Sequence, residues 1–203
     1  MLILFALVLP PLGVAGGQRS ILSEVILSLL LVSGMAAVWS ETQVVFRIVA
    51  VVTFATLTIH WLTLLAPSGA FATWNAGADM LTLVLFALVV LARVVRPGTI
   101  TSSRIQGAVA VYLLFGLVWA NAYEWIQLIR PGAFTGSGMN GAHGASWIYY
   151  SFITLTTVGY GDISPVHPAA RSFAAAEALT GQLYIAILIS RLVALEIATR
   201  RDP

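Results

Sequence analysis

Six long apolar stretches, at 2–15, 21–39, 44–66, 78–95, 105–128 and 169–196, take up most of the chain and leave no room for a water-soluble domain. The links between them are short and carry turn-forming residues, as in Pro67-Ser68-Gly69 and Pro97-Gly98-Thr99. A helical crossing of a bilayer takes about 20 apolar residues. The layout therefore predicts an all-helical, multi-pass membrane protein with six spanning helices. At 59% hydrophobic and 9% charged residues, the chain lies outside the range of soluble domains.

Charge orients these helices and removes several function classes. Every basic residue apart from the histidines is an arginine, and the net charge of +2 is too small for a nucleic-acid surface. Arg47, Arg93, Arg96, Arg104, Arg200 and Arg201 fall on one side of the predicted layout, which the positive-inside rule makes cytoplasmic, along with both termini. Arg19, Arg130 and Arg171 fall outside, so the bias is imperfect. The lack of lysine beside abundant Ala, Leu, Val and Arg points to a GC-rich bacterial genome, hence to a bacterial inner membrane. There is no cysteine for a disulfide or thiolate metal site. His60, His143 and His167 lack metal-ligand spacing; the last two sit in outer loops, where they could make the protein sensitive to external pH. Trp39, Trp61, Trp74, Trp125 and Trp147 lie near predicted span ends, as an interfacial belt requires. Stretch 2–15, with Pro10-Pro11, reads either as a retained helix or as a secretory leader; the lack of a basic residue before Arg19 favours the helix.

Between the last two stretches runs Thr156-Thr157-Val158-Gly159-Tyr160-Gly161-Asp162. Consecutive carbonyls point the same way only where the backbone visits left-handed conformations, and Gly159 and Gly161 do so without steric penalty. Just before it, 146–156 is short and amphipathic, suited to a re-entrant half-helix; non-helical backbone is tolerated at membrane depth only where it lines a polar path.

At Thr157 through Gly161 the sequence resembles the potassium channel superfamily, whose filter reads Thr-Val-Gly-Tyr-Gly and is matched here without substitution. The resemblance implies an outer helix at 105–128, a pore helix, the filter and an inner helix at 169–196, in a pore domain spanning 98–203 that follows a four-helix scaffold at 1–97. One pore loop per chain implies a homotetramer in the bilayer. The resemblance makes K+ the permeant ion, held by Thr157, Val158, Gly159 and Tyr160, with Gly161 completing the filter and Val158 and Tyr160 packing behind it. It gives Thr156, Asp162, Tyr149 and Tyr150 supporting roles, with Tyr150 bonding Asp162 or a neighbour's Tyr160. Passive conduction implies no enzyme, no organic cofactor and no soluble ligand.

On the inner helix, Gly181 stands where many family members place a hinge; close helix packing is the alternative. Gln182, Ile185 or Ala186, and Ile189 share the face expected to line a cavity, where a ring of Ile189 side chains could close by dewetting. Ile153 replaces a carboxylate that many members carry behind the filter. Glu124 and Glu177 fall inside spans, where structural hydrogen bonds to the pore-loop backbone or to Asn121 compete with a functional role; Glu24 is placed to pair with Arg47.

The chain departs from voltage-gated relatives in its fourth span, which has arginine only at its cytoplasmic end, Arg93 and Arg96. A charge crossing the field is worth about 2.3 kcal/mol per 100 mV, and these two already lie at the interface. Gating largely independent of voltage is expected, with a voltage-gated channel as the alternative. Gly159-Tyr160-Gly161-Asp162 also fits the pattern of intramembrane aspartyl proteases, which need a second acid; Asp79 and Asp202 are the remaining aspartates and neither fits well. A potassium transporter subunit would need four such loops or a large partner.

Overall fold

The computed structural model describes residues 28–29, 32–35, 42–65, 69–96, 102–137 and 144–201. Its defined elements are α1 (Gln43–Leu65), α2 (Gly69–Val95), α3 (Ser102–Ile129), β1 (Phe134–Thr135), α4 (Gly144–Leu155), β2 (Ser164–Pro165) and α5 (Pro168–Arg201). Predicted span 2–15, nearly all of 21–39, Glu24, His143, Asp202 and the Pro97-Gly98 link lie outside the described residues.

Three helices contain stretches long and apolar enough to cross a membrane: Trp74–Val95, Arg104–Ile129 and Pro168–Arg191. In α1 the qualifying apolar stretch, Gln43–Ile59, is shorter. Helices α1, α3 and α5 start within three residues of expectation, whereas α2 begins at Gly69, nine residues before the predicted 78. Those extra two and a half turns carry Asn75, whose polarity reads as a loop. Asn75 instead donates from Nδ2 to Asp79 Oδ2 at 3.3 Å, an i,i+4 bond that links the two side chains within the helix.

Helices α1, α2 and α3 pack side by side around Val49, Leu83, Phe86, Ala87, Leu114 and Leu117. In a membrane the surrounding lipid is as apolar as these side chains, so polar contacts and small residues add the specificity. Thr56 and Thr82 bring their hydroxyls within 2.7 Å across the α1–α2 interface, while also bonding carbonyls of their own helices. Gly116 on α3 leaves space for the Phe152 ring of α4, which a Cβ would strike.

A contact joins the C-terminal end of α2 to the C-terminal half of α5. Arg191 donates from Nη2 to the carbonyls of Val95 at 2.8 Å and Arg96 at 3.0 Å. These are among the last carbonyls of α2, which have no intrahelical donor, and a cation there also meets the negative end of the helix dipole. Arg191→Gln is expected to lower the midpoint of heat-induced helix loss in detergent, reflecting about 1 kcal/mol.

Candidate functional site

The half-helix α4 sits against α3 with Trp147, Tyr150, Ser151, Ile153 and Leu155 buried. Its inner face joins Tyr123 and Ile126 of α3, Phe134 of β1 and Ile163 in a second core behind the motif. The rings of Tyr123, Phe134, Trp147 and Tyr150 meet edge to face, with centroids 4.9–5.6 Å apart. Trp147, expected in an interfacial belt, is 2% exposed and part of this cluster, because its position on α4 turns it inward with Tyr150 and Ser151.

The helix ends in a Schellman motif built on the first residue of the filter sequence. Thr157 N–H bonds the Thr154 carbonyl at 2.9 Å, and Val158 N–H bonds the Ile153 carbonyl at 2.8 Å; Gly159 N–H shares that acceptor at 3.0 Å. Such a cap needs a left-handed residue just past the helix, and Thr157 has φ 60°. It is the one non-glycine residue with positive φ among the described residues, at a cost of roughly 1–2 kcal/mol. Gly159 (φ 55°) and Gly161 (φ 80°) follow with the same hand, while Val158 and Tyr160 between them do not share it. The sequence marks left-handed backbone only at the glycines; Thr157 goes unnoticed because a β-branched residue rarely takes it.

Beyond the motif the chain is pinned to the loop that follows α3. Phe134 pairs with Pro165 and Thr135 with Ser164, and Val166 and His167 N–H both bond the Ala133 carbonyl. Gly136 (φ 134°) lies so close to the Asp162 carbonyl that any Cβ would overlap it. Ser164 Oγ donates to the Gly161 carbonyl at 3.2 Å, tying that oxygen to the turn after the motif. Helix α5 then starts with Pro168, and His167 Nδ1 accepts from Ala169 N–H at 3.2 Å as an N-cap.

Two supporting assignments change. It is Tyr149, on the exposed side of α4, that lies near the Asp162 carboxylate. Tyr150, expected to take that role, is buried in the aromatic cluster; successive helical residues point about 100° apart, so only one of the pair can face each way. Val158 and Tyr160, expected to pack behind the filter, are 52% and 72% exposed in the single chain, which offers them no cover. Thr156 donates from Oγ1 to the Phe152 carbonyl.

Helix α5 crosses the end of α4 at Gly181, where a Cβ would overlap the Leu155 carbonyl oxygen and lie 3.1 Å from Leu155 Cδ1. The helix runs unbroken through this point, so close packing accounts for the glycine. Gln182 next to it places Nε2 3.4 Å from Thr157 Oγ1. Ile185 and Ile189 are exposed further down α5. Glu177, one turn above Gly181, is fully buried against the hydroxyls of Tyr123 and Ser151, whereas Asn121 turns back to the Leu117 carbonyl and does not meet it.

Residues 107–196 match a family described as ion channel. Over 63 residues, 31% of this chain, it is 41% identical to two pore potassium channel c of Oryza sativa subsp. japonica, of which the match spans 14%. Over 81 residues, 40% of this chain, it is 32% identical to an inward rectifier potassium channel of Paramagnetospirillum magnetotacticum, of which the match spans 24%. The chain thus covers about a quarter or less of the curated relatives it matches. No solved structure gives a significant match. The matched segment contains α4, the motif after it and the helices on either side, in a family of channels and not of enzymes, so the aspartyl protease alternative falls. Through residues 107–196 the chain is thus similar to a family of ion channels and to potassium channels within it.

Proposed function

We propose that four copies of this chain form a potassium-selective channel in which the carbonyls of Thr157, Val158, Gly159 and Tyr160, with the Thr157 hydroxyl, replace water around the ion. The observation that carries this reading is the alternation of left-handed backbone at Thr157, Gly159 and Gly161, directly after a buried half-helix. Alternating hand lets successive peptide dipoles align, which is what a cation stripped of its hydration shell requires. With 12 residues at about 1.5 Å each, α4 reaches only about halfway across the hydrocarbon core. Its C-terminal dipole end lies at the base of the filter, where it favours a cation.

The exposed Val158 and Tyr160 side chains support a tetramer, since a neighbouring subunit would cover them. Gln182, Ile185 and Ile189 would line the cavity below, with Ile189 as the constriction and Tyr149 with Asp162 bracing the outer end. Residues 98–203 form the pore domain in this reading and 1–97 a membrane scaffold, giving six spans in a bacterial inner membrane with both termini cytoplasmic. Contact of α2 with α3, and the Arg191 clasp, lie within one chain and favour a scaffold seated on its own pore. The stretch 80–92 of α2 is free of charged residues and Arg93 lies in the last turn, which leaves no arginine within the span to carry across the field. Open probability is accordingly expected to be nearly flat with voltage in planar bilayers of symmetric potassium; a steep sigmoid would establish a voltage sensor instead. Particle images of the purified protein test the assembly: the expected result is a fourfold axis lined by the filter, and a lone subunit or a twofold dimer would refute it.

A further inference from the structure

Glu177 of α5, Tyr123 of α3 and Ser151 of α4 are each 0% exposed and meet where the three helices converge. Tyr123 Oη lies 2.5 Å from Glu177 Oε2. Ser151 Oγ lies 2.5 Å from Glu177 Oε1 and 2.7 Å from the Gly116 carbonyl oxygen. These distances fix a proton count. The serine hydroxyl has one proton, and the Gly116 carbonyl brings none. Two oxygens at such a separation repel unless a proton lies between them. If Ser151 donates to Gly116, the contact with Oε1 needs a proton from the glutamate. If Ser151 donates to a carboxylate instead, its own oxygen faces the Gly116 carbonyl with nothing between, and an ionised group is left buried.

The surroundings press the same way. Among the described residues, the groups that face Glu177 are Tyr112 and Tyr123 on α3 and Tyr150 and Ser151 on α4, and none of these is cationic. A buried carboxylate without a positive partner is strongly disfavoured. We infer that Glu177 holds a proton in the folded protein and acts as a positioning residue: it donates to Ser151, which donates to Gly116, and it accepts from Tyr123. One neutral carboxyl thereby ties the inner helix to the pore helix and the outer helix, one turn from the Gly181 crossing. Any effect on conduction rests on the channel reading above; the protonation itself does not.

The test separates the two. Infrared difference spectra of wild type minus Glu177→Gln, in lipid at neutral pH, are expected to show the carbonyl stretch of a protonated carboxyl. Ser151→Ala, which removes the acceptor of that proton while keeping Glu177, is expected to retain the band at a shifted frequency. Glutamine reproduces the neutral group, with one donor toward Ser151 and one acceptor for Tyr123, so Glu177→Gln is expected to assemble and conduct within about twofold of wild type. Glu177→Ala leaves the Tyr123 hydroxyl without an acceptor and the Ser151 oxygen without a donor, and is expected to lose flux or assembly on the order of tenfold. Carboxylate bands in the difference spectrum, or a Ser151→Ala spectrum without the shift, would overturn the inference even in a protein that conducts potassium. Conversely, the protonated band in a protein that passes no ions would uphold it while the channel reading failed.

Discussion

Gly181→Ala is expected to cut potassium flux by at least about tenfold, because the added methyl has nowhere to go. The new Cβ would overlap the carbonyl oxygen of Leu155, a backbone atom at the end of the pore helix, so the neighbour cannot simply rotate aside. Either α5 moves away or α4 does. Moving α5 draws Glu177 from Ser151 and Gln182 from Thr157; moving α4 shifts the Schellman cap that sets Thr157 at the base of the filter. Overpacking of this kind costs about 1–3 kcal/mol, and the middle of that range, about 2 kcal/mol, is some thirtyfold in an equilibrium. Gly107→Ala is the matched control: its Cβ would lie 3.1 Å from Val94 Cγ2, a side chain that can yield, and flux is expected to stay near wild type. Stopped-flow flux from liposomes measures both. Wild-type flux in Gly181→Ala would mean that the close approach of α5 and α4 does not hold in the working protein.

The second large effect is expected at Gly159, for a different reason. A Cβ there meets nothing within 4 Å of its own chain, so Gly159→Ala should fold and insert. Its φ of 55° nonetheless costs an alanine about 1–2 kcal/mol, in each of four copies around one axis. Relaxing that strain rotates the peptide and removes a ring of carbonyls from the ion path. The expected outcome is an assembled protein, unchanged in size by light scattering, whose potassium conduction falls by more than about a hundredfold, given some 4–8 kcal/mol of summed strain. Normal conduction in this variant would show that Gly159 does not need its left-handed backbone.

Much of this site is legible in the sequence, and what is missing has a physical pattern. The long apolar runs give α3 and α5 to within five residues at either end, since hydropathy and bilayer thickness act on the same length. The start of α2 escapes because Asn75 bonds Asp79 inside a helix, a pairing that residue polarity alone does not reveal. Gly159 and Gly161 announce their backbone by lacking a side chain; Thr157 takes the same hand because the preceding helix has to be capped there. Glu177 can be suspected from its place in a span, but its partners lie 26 and 54 residues away in sequence, so only the crossing of three helices identifies Ser151 and Tyr123. Arg191 lies within the apolar run 169–196, and only the fold brings the end of α2 against it. Tyr149 and Tyr150 both carry the family position, and only the buried face of α4 decides which one reaches Asp162.

The central claim is that backbone oxygens of Thr157 through Tyr160 substitute for water around a dehydrated potassium ion. Flux from liposomes containing the purified full chain, with potassium or sodium as the sole cation, tests it most directly. The account predicts rapid potassium efflux that barium blocks, and sodium efflux close to that of empty liposomes. Equal rates for the two cations would contradict it.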